Sequence, residues 1–355
     1  MIYLDNAATT KMSLCAINAY ELASKEFWGN VSSQHDFGKS SNKLLNYAID
    51  TICNIINCKS NELIFTSGAT EGNNMVINNI NNFIISKDDV IITSQMEHNS
   101  ILNSLKYMAK GKVMFVKPDE YGIIDPNEIE SIIKSYNVRF VTIQLVNNEI
   151  GVIQQIKKIS EICHKYNVLI HTDATQAMGH LHIDVKDLGI DYLTASAHKF
   201  NGPKGVGFLY INENVNLIKP LIYGGHQQNN IRAGTINLPG IYSMAIALAN
   251  NNNSIDYNFK LCSTFREYII NRLRDYNTFQ INGSILWSNR MTNNLNFYIR
   301  RVDVETILDE FSNTLLAMNK TKWIAKNSIR LTFDPEVNDM QQIKFVTDVL
   351  ESIIK

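Results

Sequence analysis

"NVLIHTDATQAMGHLHIDVKDLGIDYLTASAHKFNGPKGVGFLYI", residues 167–211, decides the fold. It contains three strand-like runs: "NVLIHTDAT", "DYLTASA" and "GVGFLYI". Near-continuous apolar runs of this kind suit strands covered on both faces. The first two end in polar clusters: Asp173 and Gln176 after one, Ser196, His198 and Lys199 after the other. A lysine at the end of a buried strand needs a reason, because lysines belong in water. The interval from Asp173 to Lys199 fits one helical crossover between neighbouring strands.

The same rhythm extends towards the N-terminus. "ELIFTS", "DVIITSQ", "KVMFVKP" and "RFVTIQLV" alternate with helical stretches such as "NSILNSLKYMAK", "PNEIESIIKSY" and "IKKISEICHKY". The alternation predicts an α/β domain with a mainly parallel seven-stranded sheet and helices on both faces. In such sheets ligands sit beyond the carboxyl ends of the strands. The polar stretch "ANNNNSIDYN", residues 249–258, reads as a domain boundary, followed by an amphipathic helix and an α+β segment. The expected division is an N-terminal segment, 1–13, packing with the small domain, a large domain, 14–250, and a small C-terminal domain, 251–355.

Composition narrows the class. The 355 residues carry a net charge of -1, with no electrostatic footprint for nucleic acid or an anionic membrane. No apolar run is long enough to span a bilayer. The opening "MIYLDNAATT" reads as strand and turn rather than a secretory signal, so a cytoplasmic enzyme is the expectation. The five cysteines, Cys15, Cys53, Cys58, Cys163 and Cys262, are odd in number and irregularly spaced. That argues against a disulfide framework or a zinc site.

Other strand ends add polar groups. "ELIFTSGATEGNN" places Gly68, Ala69 and Thr70 between a strand and a helix. Backbone N–H groups there, with the Thr70 hydroxyl, would hold a phosphate, although a plain turn reads the same way. "VIITSQMEHNS" delivers His98, structural or catalytic, and "VTIQLVNNEIG" delivers Asn147, Asn148 and Glu149. A phosphate cradle, a buried acid, an amide and a lysine on one sheet suggest pyridoxal phosphate. That cofactor needs a lysine as Schiff-base partner and later general base, and a carboxylate to pair with its pyridinium nitrogen.

The ordered stretches "YLDNAATT", "GNVSSQHDFG", "FTSGATEGNN", "EHNS", "VNNEIGV", "HTDATQAMG", "SAHKFNGPKGVG", "IRAGT" and "NSIRLTF" cover most of the chain. Together they resemble the cysteine desulfurases, within the class V aminotransferase group of fold-type I pyridoxal phosphate enzymes. The resemblance implies that Lys199 is the Schiff-base lysine and Lys204 a structural neighbour. It implies that Asp173 pairs with the pyridine nitrogen, Gln176 donates to the phenolic oxygen, and His98 stacks on the ring and helps move protons. Ala69, Thr70, Ser196 and His198 would hold the phosphate. Thr235 would reach the phosphate of a neighbouring subunit, which implies a homodimer. Asn148 and Arg330 would hold the substrate carboxylate, a task suited to a bidentate guanidinium.

The pattern breaks in one place. The family carries a reactive cysteine in a mobile Ser/Gly-rich loop before the strand bearing that arginine. Here the region reads "ETILDEFSNTLLAMNKTKWIAKNSIR", residues 305–330, with no cysteine and too few positions for the loop. Val31 stands where proline is usual, and His226 where a third glycine is usual; His226 reads either as a group at the cofactor entrance or as a surface histidine. Without an in-chain thiol, the expectation is sulfur removal from cysteine or a similar amino acid, with a small thiol or a sulfur-acceptor protein taking the sulfur. A β-elimination lyase or other chemistry at an amino-acid α-carbon, and a catalytically retired partner or regulatory subunit, are the rivals.

Overall fold

The computed structural model describes residues 1–215, 219–284, 286–300 and 312–355. Seven strands form the main sheet: β1 (Leu63–Thr66), β2 (Val90–Ser94), β3 (Lys112–Val116), β4 (Val138–Thr142), β5 (Leu169–Asp173), β6 (Tyr192–Ser196) and β7 (Gly207–Ile211). Their order is β1-β7-β6-β5-β4-β2-β3. β7 runs antiparallel to both neighbours, and the other paired strands are parallel. The carboxyl ends of β1, β2, β4, β5 and β6 therefore share one rim. A second, antiparallel sheet, ordered β10-β9-β8, comprises β8 (Phe279–Ile281), β9 (Asn294–Ile299) and β10 (Ser328–Thr332).

Apolar side chains leave the main sheet on both faces. Ile64, Ile91, Phe140, Tyr192 and Leu209 pack on one side with Met75 and Val76 of the helix Ala69–Ile80 and with Ile101 and Leu105 of the helix Asn99–Met108. Phe65, Ile92, Val141, Ile170 and Phe208 pack on the other with Ile129 and Ile159. This is why β1, β2, β6 and β7 are buried along their whole length. The edge strand β1 is closed by a side chain: the Gln228 amide accepts from Phe65 N–H at 2.6 Å and donates to Phe65 O at 3.0 Å. An amide in that position stands in for the missing strand and blunts the edge.

The N-terminal segment joins the two sheets. Thr332 N–H donates to Leu4 O at 2.7 Å, and Ala7 N–H to Thr332 Oγ1 at 2.8 Å. The chain then returns to the main sheet, where Thr10 N–H donates to His198 O.

The polar stretch 249–258 is helical. It is the middle of one helix, Leu238–Leu273, capped by Asn237, whose side chain accepts from Gly240 N–H. Asparagine is a modest helix former, but tertiary contacts override propensity. Asn251 is 4 % exposed and donates to Phe200 O at 2.9 Å and to Ala247 O at 3.0 Å. Asn251→Ala is predicted to leave the buried Phe200 carbonyl short of a donor and to destabilise the protein by about 1–3 kcal/mol. Thermal unfolding of the variant measures it.

Candidate active site

A cavity of about 420 Å³ opens on the shared rim of strand ends. Ala69, Thr70, His98, Asn148, Asp173, Gln176, Ser196, His198, Lys199 and Arg330 all line it. Thr235 does not; it borders a separate small depression with Ser67 and Arg232. His226 does not line the cavity either, and bonds Asn230 Oδ1 through Nδ1 at 2.7 Å on the exposed surface. Residues 305–311, where the sequence places the shortened loop, lie outside the described residues.

Lys199 follows β6 in a short turn, Ala197–Lys199. Its Nζ donates to the carbonyls of Ala7 at 2.5 Å and Ala8 at 2.8 Å. Burial lowers the amine to about 8; the Arg330 charge adds to this, and Asp173 and Asp5 oppose it. His198 beside it is pushed down to about 4, by burial first and then by Lys199 and Lys204. A neutral imidazole there donates or accepts but brings no second positive charge.

Asp173 ends β5, opposite Thr194 of β6, and is 7 % exposed. Its carboxylate accepts from Asn73 Nδ2 at 2.8 Å and Thr175 N–H at 2.9 Å. A nearby carboxyl, Glu97, is buried. Burial raises it well above the usual carboxyl range; the Gln144 N–H opposes this and Asp173 reinforces it. The two acids are thereby set apart: one engaged by hydrogen-bond donors at the cavity wall, the other biased towards its neutral form behind it.

The turn before the helix Ala69–Ile80 is shaped by glycine. Gly68 has φ +150°, a conformation side chains resist, and a Cβ on Gly207 would lie 2.7 Å from Gly68 Cα. That close approach lets Ser196 Oγ accept from Ala69 N–H at 2.7 Å, so the helix start faces the cavity. The N-terminus of this twelve-residue helix suits a phosphate. Burial opposes charge on Glu71 in the first turn, but Arg232 and the Ser67 hydrogen bonds outweigh it and hold the carboxyl below its usual range. Arg232 in turn fixes the segment carrying Thr235.

Arg330 comes from β10, across the cavity from the main sheet. Its fork is already used: Nη1 donates to Asn148 O at 3.0 Å and Nη2 to Asp5 Oδ1 at 2.6 Å. Next to Asn148, Glu149 accepts from Ser312 Oγ and from Thr314 Oγ1 at 2.9 Å, clasping the segment that leads to β10.

Several lining groups escape sequence reading. Ala7 and Ala8 act through backbone carbonyls, with Gln176 Nε2 also donating to Ala7 O at 2.9 Å. Ser100, Gln144 and Thr175 line the cavity, and Asn73 braces Asp173 from one helical turn beyond Ala69. None of the five cysteines lines it. Cys163 and Cys262 are buried, and burial raises both thiols. The polar groups that remain fit pyridoxal phosphate: an amine with a lowered pKa, a braced carboxylate and a helix start around one space.

The lowered Lys199 pKa has a defined sign. Between about pH 8 and the unfolded value near ~10.4, the unfolded chain holds a proton that the folded chain has released. Stability from this residue therefore rises with pH across that window. In cofactor-free protein, reductive methylation of Lys199 followed by peptide mass is predicted to titrate with a midpoint near 8. Lys199→Met should remove the corresponding rise in unfolding free energy.

Residues 2–317 match the family described as aminotransferase class-V. The cysteine desulfurase IscS of Dictyoglomus turgidum is 36% identical, over 100% of this chain and 94% of its own. That alignment spans 377 positions against 355 residues here, so the relative carries residues that this chain lacks. A solved NifS-like protein superposes with a TM-score of 0.92 at 28% identity, covering 99% of both chains. SspA, solved in complex with cysteine, superposes with a TM-score of 0.82 at 25% identity, over 94% of this chain and 99% of its own. The chain belongs to the class-V aminotransferase family, in its pyridoxal-phosphate-dependent cysteine desulfurase group.

Proposed function

We propose that this protein removes sulfur from L-cysteine or a cysteine-like amino acid and hands it to a thiol supplied from outside the chain. One observation carries the reading: Lys199 and Arg330, an amine with a lowered pKa and a carboxylate-binding fork, share a cavity that no cysteine lines. The cysteine bound by SspA is the corresponding ligand in a structural relative.

Pyridoxal phosphate, when bound, supplies the electron sink that loosens bonds at the substrate's α-carbon. The residues divide the remaining work. With its amine at about 8, Lys199 presents about a tenth of its population as a free nucleophile at pH 7. Asp173 offers its charge to the ring nitrogen and Gln176 its amide to the phenolic oxygen. Ala69, Thr70, Ser196 and His198 hold the phosphate at the helix start. His98 covers the ring and moves a proton. Arg330 and Asn148 orient the substrate carboxylate, which must take Asp5's place on the guanidinium. An external thiol then accepts sulfur as a persulfide, and alanine leaves.

Thr235 is proposed to complete the phosphate site of a second copy, because it lies away from the cavity of its own chain. Exposed Leu14, Ile17 and Tyr20 on the helix Leu14–Glu26, with the Trp28 and Phe37 rings 5.0 Å apart, give that copy an apolar face to cover. Free thiols throughout the chain suit a reducing, cytoplasmic setting.

Two predictions follow the chemistry. Lys199→Ala should lose both the near-visible absorbance of attached cofactor and turnover; a yellow, active variant overturns the assignment. Purified, cofactor-loaded protein given L-cysteine should form alanine only when a thiol is added. Pyruvate and sulfide formed regardless of thiol would make the enzyme a β-elimination lyase instead.

A further inference from the structure

We propose that Ser100 is a positioning residue that holds His98 as the tautomer with its proton on Nε2, at the end of a one-way chain of hydrogen bonds anchored on Asp173. Ser100 and Asn73 together connect the site's acid to its histidine.

The direction of each bond follows from what each atom can donate. A carboxylate only accepts. Asn73 Nδ2 lies 2.8 Å from Asp173 Oδ2, so the amide nitrogen faces the acid, and its oxygen accepts from Thr194 Oγ1 at 2.6 Å. The second Nδ2 hydrogen goes to Ser100 Oγ at 2.9 Å. Ser100 has then accepted one bond, and its single hydroxyl proton points to His98 Nδ1 at 2.8 Å. The Ser100 backbone N–H converges on the same nitrogen at 3.1 Å. Two donors on Nδ1 require a lone pair there, so the ring proton sits on Nε2, the nitrogen left for the cavity.

The far side of Asn73 obeys the same rule. Thr194 gives its proton to Asn73 and so accepts from His171 Nε2 at 3.3 Å. His171 Nδ1 accepts from the Thr142 hydroxyl at 2.9 Å. Burial lowers His171 to about 4, which keeps one proton on that ring, as the chain requires. The sequence of donors runs from Thr142 through His171, Thr194 and Asn73, then branches to Asp173 and to Ser100 and His98. The tautomer rests on the geometry of this chain alone; its use in moving a proton rests on the function proposed above.

The test is nitrogen NMR of full-length protein labelled with 15N-histidine, with and without pyridoxal phosphate, and with His98→Gln to assign the ring. In the wild type, His98 Nδ1 should give an unprotonated signal and Nε2 a protonated one. In Ser100→Ala the two signals should move towards a mixture of tautomers. The kcat with cysteine should fall about three- to tenfold at unchanged KM, and Ser100→Thr should restore both readouts. A protonated Nδ1 in the wild type overturns the proposal, as does a Ser100→Ala spectrum identical to the wild type. The cofactor-free spectrum reads the tautomer even if the proposed reaction proves wrong.

Discussion

The structure turns on a carboxylate placed where water is scarce. Asp173 sits at the end of a strand buried on both sides, and a charge there must be met by donors or neutralised. Its donors come from two directions. The Thr175 N–H is local, and Asn73 reaches in from the helix Ala69–Ile80, whose start borders the cavity. The same helix thus turns its start to the cavity and braces the carboxylate a turn later. The glycines at 68 and 207 let that helix approach closely enough to do both. Moving the helix by an ångström would shift the cavity-facing turn and loosen the acid together.

Lys199 meets the opposite demand on the same rim. Its amine is held by two carbonyls of the N-terminal segment rather than by a carboxylate, and a carbonyl dipole compensates a buried ammonium less than a full charge does. Burial, reinforced by the Arg330 charge, leaves an amine that gives up its proton easily. That segment also pairs with β10, so one stretch of chain holds the lysine and borders the arginine. The small sheet is tied to the chemistry through residues 4–10 and through Glu149, without lending a side chain of its own to the cavity apart from Arg330.

The sequence reveals the main sheet because its strands are apolar on both faces, and it reveals the site because strand ends carry side chains whose types are unusual there. Asn251 hides its role: a polar residue in a polar run looks solvated, and only the fold turns it inward. Ala7 and Ala8 are invisible for a different reason, since their contribution is a carbonyl that every residue possesses. Ser100 and Asn73 matter through bonds between residues distant in sequence, which periodicity does not encode. Thr235 is legible as part of a motif, yet it lies outside its own chain's cavity. The resemblance supplied roles that spacing alone left open, above all for Gln176 and Arg330.

Asp5 has a consequence of another kind. Its carboxylate occupies one edge of the Arg330 fork and would compete there with the carboxylate of a ligand that the fork were to bind. An exposed ion pair of this sort is worth about 0–1 kcal/mol, so a carboxylate that also anchors through an amine displaces it at little cost. A simple amine gains nothing from the guanidinium, and a simple carboxylic acid must compete without a second tether. A carboxylate proposed to bind Arg330 would have to displace Asp5, whereas an amine without a carboxylate would leave the pair intact.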